Sequence, residues 1–169
     1  MAMEIRPKRC GEFEEWPLSH LAVVGGMLLL MFLEGALIVS IFGGLHVVVL
    51  IVLWVASFPV IQFSLCRKCL YYGKRCPVPG EGNLANLLFE KKEGPAGFMD
   101  YMGVVLCYAM RLGYPAIFLF LYPEKYSRLT GLIYALTIVL FFMILANVIG
   151  CPNCMKTECP MNPDAGKVN

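Results

Sequence analysis

Charged residues are scarce in this chain of 169 residues: only 15% are Asp, Glu, Lys or Arg, against about a quarter in a typical globular protein. In contrast, 59% of the residues are hydrophobic and the mean hydropathy is +0.68. A soluble domain of this length cannot bury so much apolar surface under so few charges. The same composition excludes a disordered chain, and a net charge of +2 is too small for a nucleic-acid-binding protein. We therefore expect an integral membrane protein.

Common catalytic motifs are missing as well. The chain has no phosphate-binding loop and no G-x-G-x-x-G fingerprint, and no Ser/His/Asp set can be placed. These absences argue against nucleotide binding and against triad hydrolysis. The apolar runs and the cysteines are the features that remain.

Four long apolar runs predict four transmembrane helices, with 21 to 25 residues in each run. A bilayer core of roughly 30 Å requires about 20 helical residues to cross it. The predicted fold is an all-α integral membrane protein, a four-helix bundle built from two helical hairpins in a single membrane domain, 1–169. The predicted spans are 18–42, 45–65, 101–122 and 129–149.

The basic residues predict the orientation of these spans. Eleven Lys and Arg residues lie in segments 1–17, 66–100 and 150–169, whereas only Lys125 and Arg128 lie in the turns on the other side. By the positive-inside rule, both termini and the central loop are cytoplasmic. The predicted parts are therefore a cytoplasmic arm, 1–17, a cytoplasmic cysteine loop, 66–100, and a cytoplasmic cysteine tail, 150–169.

The central loop is expected to contain a short helix. Leu84, Leu87 and Leu88 recur at helical spacing after Asn83, a residue type that often caps helix N-termini. We predict that this helix lies on the inner membrane surface.

Cysteine motifs of the same form follow the second and the fourth span. The first reads CRKCLYYGKRCP and the second CPNCMKTECP, so both combine a C-x2-C pair with a later C-P. We call each of them a cysteine knuckle. The repeated order of helix, turn, helix and knuckle indicates an internal duplication. The knuckle cysteines are Cys66, Cys69, Cys76, Cys151, Cys154 and Cys159.

The knuckles favour a metal site, because a C-x2-C turn presents two thiolates to one ion and structural disulfides are rare in the reducing cytosol. Two such pairs would complete a four-thiolate zinc site. Three cysteines in each knuckle also fit an iron–sulfur cluster, with Cys10 as a possible extra ligand. Zinc and an iron–sulfur cluster both remain open, and so do redox-active dithiols and plain packing thiols.

Glu34 and Arg111 are the ionisable residues well inside the predicted spans. Counted from the outer ends of their spans, Glu34 lies roughly 12 Å deep and Arg111 roughly 17 Å deep. An intramembrane ion pair between them is therefore expected, since an arginine side chain can extend along the helix. Such a pair would either fix helix pairing or line a pathway.

These features favour a small membrane subunit or anchor over an enzyme. Its cysteine-ligated metal would dock a soluble cytoplasmic partner, or relay electrons to it, within a larger membrane complex; the other partner is the lipid bilayer, and no nucleic acid is expected. One alternative is a membrane thiol–disulfide oxidoreductase that uses the C-x2-C pairs. A further alternative is a small transporter with Glu34 and Arg111 in its path.

Overall fold

The computed structural model describes residues 15–94 and 96–149, and this part of the chain is helical with no β-strand. Four of its helices are long and apolar enough to cross a membrane, with mean hydropathies between 1.8 and 2.6. The expected all-α architecture with four helices that could cross a membrane is therefore confirmed for these residues. The candidate spans are Leu18–Ser40, Gly44–Lys68, Phe98–Leu121 and Arg128–Ile149.

A tight turn joins the first two helices, α1 (Leu18–Ser40) and α2 (Gly44–Ser64). The Phe42 amide donates to the Val39 carbonyl at 3.1 Å, and the Gly43 amide donates to the Ser40 carbonyl at 3.0 Å. Gly43 has a φ of 111°, a backbone conformation that glycine adopts without the steric cost of a Cβ. The chain therefore reverses within three residues.

The central loop carries helix α3 (Glu81–Leu88). It begins two residues before the expected capping residue Asn83, so that predicted N-cap is wrong. Gly80 precedes the helix with a φ of 80°, and this left-handed residue turns the chain into the first helical turn. Leu84, Leu87 and Leu88 are exposed, while Glu81, Gly82 and Ala85 are buried against the protein.

The second half of the chain contains α4 (Phe98–Leu121) and α5 (Arg128–Met143). A 3-10 turn, Pro123–Lys125, connects them. Ser127 caps α5, because its side-chain oxygen accepts a hydrogen bond from the Thr130 amide at 3.1 Å. A π-helical segment, Ile144–Ile149, continues α5 to the end of the fourth span.

The two ends of the bundle differ in what they carry. At one end the Trp16 amide donates to the Arg75 carbonyl at 3.3 Å, and Lys68 pairs with Asp100. We call this end the cysteine face, because the loop that begins at Cys66 lies there. At the other end Phe42 packs on Tyr122, with ring centroids 4.7 Å apart; we call this end the turn face.

Packing contacts run mainly between the two halves of the chain. Helix α2 makes its most extensive contact with α4, and α1 contacts α2, α4 and α5, whereas α4 and α5 contact each other little. A close approach at Gly35 explains part of the contact between α1 and α4, since a Cβ there would lie 2.9 Å from Cγ of Pro115. The absence of a side chain at Gly35 lets α1 and α4 come together.

Candidate functional site

The first cysteine knuckle is built from consecutive backbone turns. After α2 the chain forms a 3-10 turn, Cys66–Lys68. The Cys69 amide then donates to the Cys66 carbonyl at 3.1 Å, and the Tyr72 amide donates to the Cys69 carbonyl at 3.2 Å. These turns keep the C-x2-C pair compact.

Close contacts hold the knuckle and the proline that follows it against α3 and α1. The Gly73 amide donates to the Gly82 carbonyl at 2.9 Å. Pro79 packs on α1 at Gly25, where a Cβ would lie 2.9 Å from Cγ of the proline. The knuckle is therefore fixed on two sides, and small residues make both approaches possible.

Cys66, Cys69 and Cys76 line one cavity of about 290 Å³ at the cysteine face. All three are partly buried, and none forms a disulfide within the described residues. The rest of the lining is largely apolar and comes from α2, α4 and the end of the fourth span, with Glu81 as its one acidic group; examples are Ile61, Val104, Tyr108, Phe142 and Leu145.

Glu81 is a functional candidate that the sequence did not reveal. Its side chain is 6% exposed and lines the cysteine cavity. The Cys66 thiol donates to Oε2 of Glu81 at 3.7 Å, and Oε1 has no hydrogen-bond partner. Burial raises the pKa of the Glu81 carboxyl to about 7, although the charge of Arg111 limits the rise. In the sequence this residue stands between two glycines, which is typical of a solvated turn.

The Cys76 thiol of this knuckle is not activated as a nucleophile. Burial, together with the neighbouring Glu81 carboxylate, raises the pKa of the Cys76 thiol to about 12. The same thiol donates to the Val78 carbonyl at 2.8 Å. Reactive cysteines have the opposite property, a pKa lowered by nearby cations or by a helix N-terminus.

Basic side chains of the knuckle are directed toward other partners. Lys68 pairs with Asp100 at 2.5 Å, and Arg75 pairs with Glu15 at 2.6 Å. The Arg67 guanidinium lies over the Phe63 ring, 3.6 Å from its centroid. These positive charges stabilise the attachment of the loop to the bundle.

Three of the predicted ligands are thus brought together, while Cys10, Cys151, Cys154 and Cys159 lie outside the described residues. Within residues 15–94 and 96–149, no group of three or more Cys, His, Asp or Glu side chains is arranged to hold a metal ion. The fourth span nevertheless ends beside the first knuckle. Ile149 is buried in a hydrophobic cluster against which Cys69 and Cys76 also pack.

Glu34 and Arg111 bind different groups. Thr137 donates to Oε1 of Glu34 at 3.1 Å. Nε of Arg111 donates to the Ser57 hydroxyl, and Nη2 donates to the Trp54 carbonyl at 3.2 Å. The ion pairs in the described part of the chain are those of Lys68 and Arg75, so the structure does not join Glu34 to Arg111.

No protein-family model matches this chain, and the searches of curated proteins and of solved structures found no similar protein. No activity can therefore be transferred to the cysteine face from a relative. Its chemistry has to be judged from its own thiols, its buried carboxyl and the cavity between them.

Proposed function

We propose that this protein is a small membrane subunit or anchor whose two cysteine knuckles together bind one metal centre at the cysteine face. The centre is zinc or an iron–sulfur cluster, and both are consistent with thiolate ligands from C-x2-C turns. Through this face the protein docks a soluble partner or relays electrons to it.

The position of Ile149 is the observation that carries the proposal. Ile149 belongs to a buried cluster against which Cys69 and Cys76 pack, and Leu145 and Ala146 of the fourth span line the cysteine cavity. Cys151 follows Ile149 by two residues. Since consecutive Cα atoms are about 3.8 Å apart, this short separation supports a second knuckle that begins near the first.

A shared centre also accounts for the number of ligands. The C-x2-C pair Cys66 and Cys69 supplies two thiolates, and the pair Cys151 and Cys154 supplies two more, which completes a four-thiolate shell. Cys76 and Cys159 then join a larger cluster or remain structural thiols. Metal binding would link the end of α2 to the end of the fourth span and stabilise the folded cysteine face.

The charge distribution supports a cytoplasmic location for this face. Eleven basic residues belong to the arm, loop and tail segments, against two in the turns of the other side, and cytoplasmic loops of membrane proteins carry the excess of Lys and Arg. The reducing cytosol would keep the cysteines as thiols that can bind metal.

Metal analysis of three substituted proteins tests the shared centre. We expect that Cys69→Ser and Cys154→Ser each strongly reduce the metal bound by the purified protein, and that the double variant loses little more, because both changes damage one site. Cys107→Ser is the matched control, since Cys107 is buried in α4 and does not line the cavity.

The readouts are metal content by mass spectrometry, acid-labile sulfide and the visible spectrum. Iron with sulfide identifies a cluster, and stoichiometric zinc without colour identifies a zinc site. Two independent sites would show a loss of about half the metal in each single variant and of nearly all in the double variant. Full retention in both single variants would refute metal binding by these cysteines and favour the dithiol oxidoreductase.

A further inference from the structure

A second cavity opens at the turn face, between α1 and α5. Its volume is about 450 Å³, which falls in the range of small-molecule sites. Its walls are mostly aliphatic, and Lys125, Tyr126 and Ser127 of the connecting turn contribute polar groups at the outer end. The aliphatic residues are Leu37, Ile38, Ile41 and Ile133.

Glu34 is the acidic group of this cavity, and its hydrogen-bonding capacity is only partly used. Oε1 accepts from the Thr137 hydroxyl at 3.1 Å, but the same hydroxyl also lies 3.1 Å from the Ile133 carbonyl. One hydroxyl proton cannot satisfy both acceptors fully. Oε2 of Glu34 is buried and has no hydrogen-bond partner. The carboxyl therefore has an unfilled position for a donor.

Neither Lys125 nor Arg111 forms an ion pair with Glu34 in this structure. The Lys125 ammonium lies over the Phe42 and Tyr122 rings, 4.5 Å and 5.7 Å from their centroids. Arg111 uses its guanidinium on Ser57 and Trp54. An unpaired carboxylate is costly at this depth in a membrane, so a positively charged donor from outside the chain would be strongly favoured.

We infer that this cavity binds an organic amine with an apolar body. The protonated nitrogen donates to the Glu34 carboxylate, which lines the cavity, and this gives a charge-assisted hydrogen bond in a poorly solvated place. Tyr134, whose hydroxyl donates to the Leu112 carbonyl at 3.0 Å, adds its side chain to the same wall. The apolar body packs on Leu37 and Ile133.

This site is independent of the cysteine centre. None of the residues that line it lines the cysteine cavity, and Glu34 lies in the half of α1 that leads to the turn face. Loss of metal at the knuckles is therefore compatible with amine binding, and failure of either proposal leaves the other intact.

Photolabelling of the full-length protein in lipid nanodiscs tests the inference. The probe is a primary alkylamine that carries a diazirine in its chain, and the labelled peptides are mapped by mass spectrometry. We expect labelling in the parts of α1 and α5 that line the cavity. Decylamine should displace the probe, while decanol, which has the same chain without the charge, should not.

Three variants distinguish the contribution of the Glu34 carboxylate to probe binding from unspecific effects of substitution. Glu34→Gln should weaken probe binding by about tenfold or more, since it removes a charge-assisted hydrogen bond. Glu124→Gln is the matched control, because Glu124 is exposed in the same turn region and does not line the cavity. Leu37→Trp fills the cavity without changing its charge and should also abolish labelling.

Equal labelling of Glu34→Gln and the unsubstituted protein would overturn the inference. So would displacement of the probe by decanol as effectively as by decylamine, which would show a nonspecific lipid groove. If Glu34→Gln does not fold, the Leu37→Trp variant and the two competitors still decide the question.

Discussion

Arg111 lies within the bundle and is 1% exposed. It is held by hydrogen bonds to Ser57 and to the Trp54 carbonyl. The rings of Phe58, Trp54 and Tyr108 surround it, with centroids 4.5, 5.0 and 5.7 Å from Cζ. Cation–π contacts strengthen when water is excluded. These aromatic faces and neutral acceptors therefore accommodate the charge.

At this residue scale we predict that Glu34 and Arg111 are energetically independent. Arg111→Gln should destabilise the protein by about 2 kcal/mol or more, because buried acceptors lose their donor. Glu34→Gln combined with Arg111→Gln should give the sum of the single effects, within about 0.5 kcal/mol, since the two residues share no partner. Unfolding of the four proteins in detergent, followed by circular dichroism, measures the coupling.

This independence would be contradicted if the double variant were clearly more stable than the sum of the two single effects predicts. It would show that the ion pair expected from the sequence forms in the membrane, because removal of both charges would then cost less than removal of either alone.

At the scale of elements, helix α3 decides the shape of the cysteine face. Its first turn places Glu81 in the cavity, and Gly82 lies directly against the knuckle backbone. A Cβ on Gly82 would be 2.5 Å from the Tyr71 carbonyl oxygen and still closer to that of Lys74. Backbone atoms cannot move aside as a flexible side chain could, so glycine is required at this contact.

We therefore predict that Gly82→Ala displaces α3 and destabilises the cysteine face by about 2 kcal/mol or more. The matched control is Gly113→Ala in α4, where a Cβ would meet no atom within 4 Å and the effect should be neutral or slightly stabilising. Thermal unfolding gives the stability, and the rate of thiol labelling at Cys76 reports exposure of the cavity.

Unchanged stability and unchanged labelling in Gly82→Ala would show that α3 is not docked as described. A similar loss in Gly113→Ala would point instead to a general intolerance of added methyl groups in the helices.

At the scale of the whole molecule, the bundle has one face with a folded loop and one with short turns. The connection between α2 and α4 carries the knuckle and α3, whereas the other connections are three and six residues long (41–43 and 122–127). Non-membrane surface is thus concentrated at the cysteine face, which suits contact with a soluble partner.

We predict that the cysteine face is cytoplasmic. In intact cells a membrane-impermeant maleimide should modify Glu124→Cys at the turn face. Asn86→Cys, exposed on α3, should react only after the cells are permeabilised. The native protein, which contains all eight cysteines, is the control for background labelling.

Modification of Asn86→Cys from outside, with protection of Glu124→Cys, would reverse the orientation. Modification of both from outside would contradict the four-span topology.

The sequence alone was sufficient to predict the four long apolar helices. The length of an apolar run can be matched directly to the thickness of a bilayer. The predicted spans therefore begin and end within a few residues of the helices in the structure.

Only the tertiary structure decided which side chains meet. Residue counting estimated the depths of Glu34 and Arg111, but it carries no information on how each helix is rotated about its axis. Rotation and packing place Thr137 beside Glu34 and Ser57 beside Arg111. The burial of Glu81 also depends on tertiary packing. It arises because Gly82 of α3 packs against the backbone of the first knuckle. Such contacts depend on the joint packing of several elements, and no local pattern encodes them.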